Sequence, residues 1–148
     1  MHTPSAVCHV HAATSVFMLV PAVKAASHNP AFAAALVAGC LASLVHWANF
    51  KHNSARHWLD RCTAASVIIC ACVQRPGLLQ AVPLLGIVFL RGRWHYFAGR
   101  PTAASRWHTM FRYLAFWLCY VHASGSVSVY AVVAYSVAYA ICVKDLFK

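Results

Sequence analysis

Six apolar runs punctuate the chain, at Val7–Val23, Pro30–Trp47, Trp58–Val73, Leu78–Leu90, Trp107–Ala123 and Val127–Val143. A helix needs about 17–25 residues to span the hydrocarbon core of a bilayer. The second, fifth and sixth runs meet that length, and the first does so with His9 and His11 inside it. The third and fourth are short and are separated by Gln74-Arg75-Pro76-Gly77, a strong break signal. They predict either two short spans or a re-entrant hairpin, and both return the chain to the same side. The pattern therefore predicts an all-α, polytopic membrane bundle of about six transmembrane helices, within a range of five to seven. Residues 1–148 form one integral membrane domain on this reading.

Small residues recur every four positions in the second run, at Ala31, Ala35, Gly39 and Ser43. In lipid, that spacing lets helices approach closely, so this face is expected to meet protein. Ala134 with Ala138, and Ser136 with Ala140, repeat the pattern in the last run, where Tyr130, Tyr135 and Tyr139 read as packing residues.

Composition points the same way. The chain is 61% hydrophobic and 9% charged, where soluble domains carry about 45–50% and about 25%. The net charge of +10 comes from 12 Lys and Arg against two acids, Asp60 and Asp145. With six crossings, Lys51, Arg56, Arg61, Arg91, Arg93, Arg100, Arg106, Lys144 and Lys148 share one side, and Lys24 and Arg75 the other. This bias predicts that both termini are cytoplasmic, with anionic lipid headgroups as partners of the basic face. An endomembrane is the expected location. No basic face alternates with stacking aromatics, which argues against nucleic acid. Two acids are too few for glycosidase chemistry or for calcium and magnesium sites. The seven cysteines lie mostly within apolar runs and read as small buried hydrophobes, not a disulfide framework. Residues 1–15 hold no Lys or Arg, so no secretory signal is expected.

The polar chemistry is concentrated in one connection, SLVHWANFKHNSARHWLD at residues 43–60. His46 follows Ser43 by three residues and shares its helix face. Asp60 opens the third run and His108 the fifth, on the same predicted side. Ionisable groups at membrane depth are costly and point to function. His52, His57 and His95 read as solvated loop residues, any one of which could add a ligand. His108, Arg112, Ala115, Cys119 and His122 form a stripe along the fifth run.

Ser43, His46 and Asp60 in SLVHWANFKHNSARHWLD, with His108 in SRWHTMFRYLAFWLCY, resemble the CREST superfamily of alkaline ceramidases and progestin and adipoQ receptors. The resemblance covers about 80 residues through single-residue motifs. It implies zinc held by His46 and His108, Asp60 as proton shuttle, Ser43 as an oxyanion or water partner, and a lipid amide as substrate. Zinc lowers the pKa of its bound water to about 7. The pattern departs at Ala42, where the family has its serine, and at Ala104 and Arg112, either of which stands where a second histidine would pair with His108. Two other readings stay open. A buried Asp60–Arg112 ion pair, with His46 and His108 hydrogen-bonding between helices, would suit a non-catalytic membrane subunit or assembly protein bound to membrane-protein partners. A polar stripe along the fifth run would suit a small pore or carrier.

Overall fold

The computed structural model describes residues 5–48, 54–126 and 128–144. Over these residues the chain is all-helical: α1 Ser5–Val16, α2 Leu19–Ala25, α3 Pro30–Ala48, α4 Ala55–Gln74, α5 Val82–Phe97, α6 Pro101–Ser124 and α7 Val129–Val143, with a 3-10 segment Pro76–Ala81 between α4 and α5. Two helical stretches, Val7–Ala25 and Pro30–Ala48, are long and apolar enough to cross a membrane. At about 1.5 Å rise per residue, their 19 residues each reach about 28 Å.

Local chemistry sets the boundaries. Pro21 has no N–H to give the preceding turn, and the ladder between α1 and α2 tightens to i→i−3 bonds, Met18 N–H to the Ser15 carbonyl at 3.1 Å and Val20 N–H to the Phe17 carbonyl at 3.0 Å. The Asn29 side chain accepts the Phe32 N–H at 3.1 Å and Pro30 takes the first position of α3. Ser54 caps α4 by accepting the His57 N–H at 3.2 Å. Arg75, held extended at φ −139° and ψ 83° by the proline that follows it, ends α4. Two separate helices joined by the 3-10 turn therefore occupy the region where a hairpin or two short spans were expected. Gly125, at φ +73°, closes α6 in the left-handed conformation. Arg75 then donates to the Val121 and Gly125 carbonyls, at 2.8 and 3.1 Å.

Side-chain pairs fix which ends meet. At one end Asn29 and His122 both contact Gln74, at 2.6 and 2.9 Å. At the other, His46 meets His57 at 3.4 Å and His11 meets Ser105 at 2.9 Å. Successive rods thus run up and down. The start of α1, the end of α3, the start of α4, the 97–101 connection and the end of α7 share this second end, here called the histidine end. Arg56, Arg61, Arg91, Arg93, Arg100, Arg106 and Lys144 lie toward it, and Lys24 and Arg75 toward the opposite end. Lys51, His52, Asp145 and Lys148 lie outside the described residues.

An apolar core, a buried polar cluster beside it and an apolar outer surface make up the packing. Phe32 and Leu36 of α3, Val67 and Ala71 of α4, and Leu118 and Cys119 of α6 form the main core. Beside it, His11, Thr14, Ser15, Ser43, His46, Ser105 and Thr109 are buried. Val23, Ile69, Ile87, Leu90, Phe97 and Val129 are instead more than 60% exposed. In water such a surface would be costly, at roughly 25 cal/mol per Å² of apolar area. α7 docks through aromatic rings: Tyr135 stacks on Phe116 with centroids 3.5 Å apart, and Tyr139 donates to the Thr109 carbonyl at 2.6 Å. Tyr130 is 87% exposed and packs on nothing comparable.

The small-residue expectation is corrected. Ala31 is exposed, Ala35 and Gly39 are half-buried, and a Cβ added at Gly39 would meet Val67 at an ordinary 3.8 Å. The buried stripe of α3 is Phe32, Leu36, Cys40 and Ser43, because bulky residues turned inward make more van der Waals contacts with the neighbouring helices. Ala134 and Ala140 of α7 are likewise exposed. The close approach occurs at Gly92 of α5, where a Cβ would meet Trp107 Cβ at 3.2 Å and the Ala104 carbonyl at 3.6 Å. No repeat marks that position in the sequence. All seven cysteines are free thiols; Cys40, Cys72 and Cys119 are buried and Cys62 is exposed.

Candidate functional site

A cavity of about 550 Å³ opens at the histidine end between α1, α3, α4, α5 and α6. That volume lies within the range of small-molecule sites, about 300–1,000 Å³. His46 on α3, Asp60 on α4 and His108 on α6 all line it, as do His11 on α1 and His57 on α4. The three site residues that the sequence placed at one depth therefore face one space. Below them the walls turn apolar, with Ile68 and Ile69 on α4, Leu85 and Phe89 on α5, and Phe111 on α6.

The histidines form two pairs. His11 and His108 stand edge to face with ring centroids 4.8 Å apart. His46 and His57 have centroids 5.0 Å apart, with Nε2 of the first 3.4 Å from Nδ1 of the second. Trp47 lies between the pairs, 4.3 Å from His11 and 4.8 Å from His46 by ring centroid. His57, expected in a solvated loop, is buried, because the Ser54 cap starts α4 early enough to bring it inside the bundle against α3. Sequence reasoning counted His11 only as a blemish on the first span. Its spacing from Ser15, one helical turn on, was the available signal that it faces the bundle.

Ser43 does not line the cavity. Its hydroxyl lies 3.0 Å from that of Ser15 and accepts a hydrogen bond from Arg112 at 3.2 Å. Arg112 also donates to Ser15, whose own hydroxyl donates to the His11 carbonyl at 2.8 Å. The expected Asp60–Arg112 ion pair is absent among the described residues. Asp60 sits at the first turns of α4, whereas Arg112 reaches across to α1 and α3, where two serines satisfy its guanidinium. The stripe on α6 does not line an open path: beyond Arg112, Ala115 and Cys119 are sealed in the main core. His95, on α5 beyond the apolar run, is held below the ordinary imidazole value by desolvation first and then by Arg91 and Arg100.

Imidazoles and a carboxylate are the donors zinc takes, and His11 Nδ1 and His108 Nε2 are buried with no hydrogen-bond partner among the described residues. Among the same residues, no three His, Cys, Asp or Glu side chains stand together as a metal site. The residues match zinc in kind but are placed as pairs, so no step through a metal follows from this arrangement. We find no protein-family model, curated protein or solved structure that matches the chain.

Proposed function

We propose that this chain is a multi-pass membrane protein that takes a lipid-like amphiphile into the cavity at its histidine end. The observation that carries the reading is an apolar outer surface combined with a cavity polar at one end and apolar below. Apolar residues cover the outside of the bundle, while His11, His46, His57, Asp60 and His108 surround a cavity whose deeper walls are aliphatic and aromatic. A chain with a polar head and an apolar tail matches both parts at once. Both termini and the basic residues of the histidine end face the cytoplasm on this reading.

The CREST resemblance adds a catalytic form of the same proposal: hydrolysis of a lipid amide with zinc. The lining of one cavity by His46, Asp60 and His108 favours it. When bound, zinc supplies a water acidic enough to be ionised near neutral pH. Asp60, at the cavity wall, would hold the proton, and His46 and His108 would bind the ion, with His11 or His57 as the third donor. That set forms only if the side chains gather beyond their present pairing. Their present pairing favours the second reading, a non-catalytic lipid-binding subunit held to membrane-protein partners.

Metal analysis of protein purified in detergent, with turnover of a long-chain N-acyl amine, separates the two. One zinc per chain, lost in His46→Ala and in His108→Ala together with turnover, supports the hydrolase. Substoichiometric zinc and no turnover leave the subunit reading. Failure to bind any lipid overturns both.

A further inference from the structure

The cavity is open along one side. α4 and α5 both contact the 3-10 turn that joins them, yet their main packing partners differ: α4 lies on α3 and α6, and α5 lies on α6. The two helices diverge from the turn as a cleft. Its walls are Ala64, Ala65 and Ile69 on α4 and Val82, Gly86 and Phe89 on α5, all of them cavity-lining. Ala64, Ala65, Ile69, Val82 and Phe89 are exposed. A Cβ built on Gly86 meets no atom within 4 Å, so the cleft is vacant at that point. On the membrane reading, this opening faces acyl chains and not water.

At the top of the cleft the charge is one-sided. Arg61 of α4 and Arg93 of α5 line the cavity, one from each wall. Their guanidiniums lie against aromatic rings, Arg61 at 5.8 Å from Trp58 and Arg93 at 4.7 Å from Phe97, and neither is in an ion pair among the described residues. Arg112 lies outside the cavity lining, on Ser15 and Ser43, so the cations of the cleft are Arg61 and Arg93. Asp60 is the one acid in the cavity lining among the described residues, and the whole sequence holds only two.

We propose that the α4/α5 cleft is a lateral portal through which an anionic phosphate-headed lipid of the surrounding bilayer enters, its headgroup seated between Arg61 and Arg93 and its chain lying along Ile69, Gly86 and Phe89. Guanidiniums recognise phosphate by paired, charge-assisted N–H donors. The apolar lower cleft selects a chain over a free anion, which would leave those walls unfilled. The inference rests on the amphiphile-binding reading and specifies the headgroup charge and the route.

The test is equilibrium binding of a radiolabelled single-chain phosphate-monoester lipid to the full chain in detergent. A zwitterionic phosphocholine lipid of the same chain length and inorganic phosphate serve as competitors. The wild type should prefer the phosphate monoester by about tenfold or more, the order expected of one charge-assisted contact. Arg61→Gln with Arg93→Gln should bring the two lipids to parity, while Arg61→Lys with Arg93→Lys should restore part of the preference. Gly86→Leu fills open space and adds a better helix former, so it should keep the fold and weaken both lipids. Equal affinity of the wild type for the two lipids overturns the headgroup assignment. Unchanged binding in a folded Gly86→Leu overturns the portal, and competition by inorganic phosphate at equal concentration overturns the lipid as ligand. Binding of neither lipid defeats the amphiphile reading itself.

Discussion

Replacing Ser43 with Ala tests how Arg112 is held in the bundle. The guanidinium has two acceptors, Ser43 Oγ and Ser15 Oγ, one on α3 and one on α1. Removing the first leaves the Nη1 donor of a part-buried guanidinium without its serine acceptor. Hydrogen bonds to a charged group contribute about 1.5–3 kcal/mol in soluble proteins. Interhelical hydrogen bonds in membrane proteins average about 0.6 and reach about 1.7 kcal/mol. Arg112 is half-buried and keeps its bond to Ser15, so the expected cost of Ser43→Ala is about 1–2 kcal/mol, nearer the membrane figure. In a double-mutant cycle with Arg112→Gln, Ser43→Ala should show coupling of about 1 kcal/mol. The matching cycle between Asp60→Asn and Arg112→Gln should show weaker coupling, because no ion pair joins them among the described residues and only a longer-range attraction remains. Reversible unfolding in mixed micelles, titrated with a denaturing detergent and followed by circular dichroism, supplies both cycles. Coupling of Asp60 to Arg112 larger than that of Ser43 to Arg112 would refute the assignment and restore the ion pair.

Other outcomes follow from packing and topology. Gly92→Ala should destabilise by about 1–3 kcal/mol through overpacking against Trp107, offset in part by better helix propensity. Gly39→Ala should be neutral or stabilising by up to about 1 kcal/mol, since its Cβ meets only an ordinary contact; the same melt in detergent reads both, and a reversed order contradicts the α5/α6 approach. Tyr139→Phe should cost about 1 kcal/mol by removing its bond to the Thr109 carbonyl, with hydrogen exchange rising in α7 before the rest of the bundle. A glycosylation acceptor placed at Gly99 or Arg100 should stay unmodified while one at Gly125 is modified, as the charge difference between the two ends predicts; the opposite labelling inverts the topology.

The sequence by itself determined the helical class and the order of the rods. Apolar runs separated by Pro-Gly and basic punctuation leave few arrangements other than helices for so hydrophobic a chain. It also brought Ser43, His46, Asp60 and His108 to one end, because connection lengths and up-down alternation fix depth without fixing contacts. Only the tertiary structure decided rotation about each helix axis. A run that is apolar all round, as in α3, carries little signal for which face turns inward, so Phe32 and Leu36 took the place expected of Ala31 and Gly39. The same rotation joined Arg112 to two serines instead of Asp60, and left Ser43 outside the cavity that the other three share. His11 and His57 came to that cavity through pairings across the bundle, 94 and 11 residues along the chain. Such distant pairings follow from how the rods pack on one another, which no local spacing records.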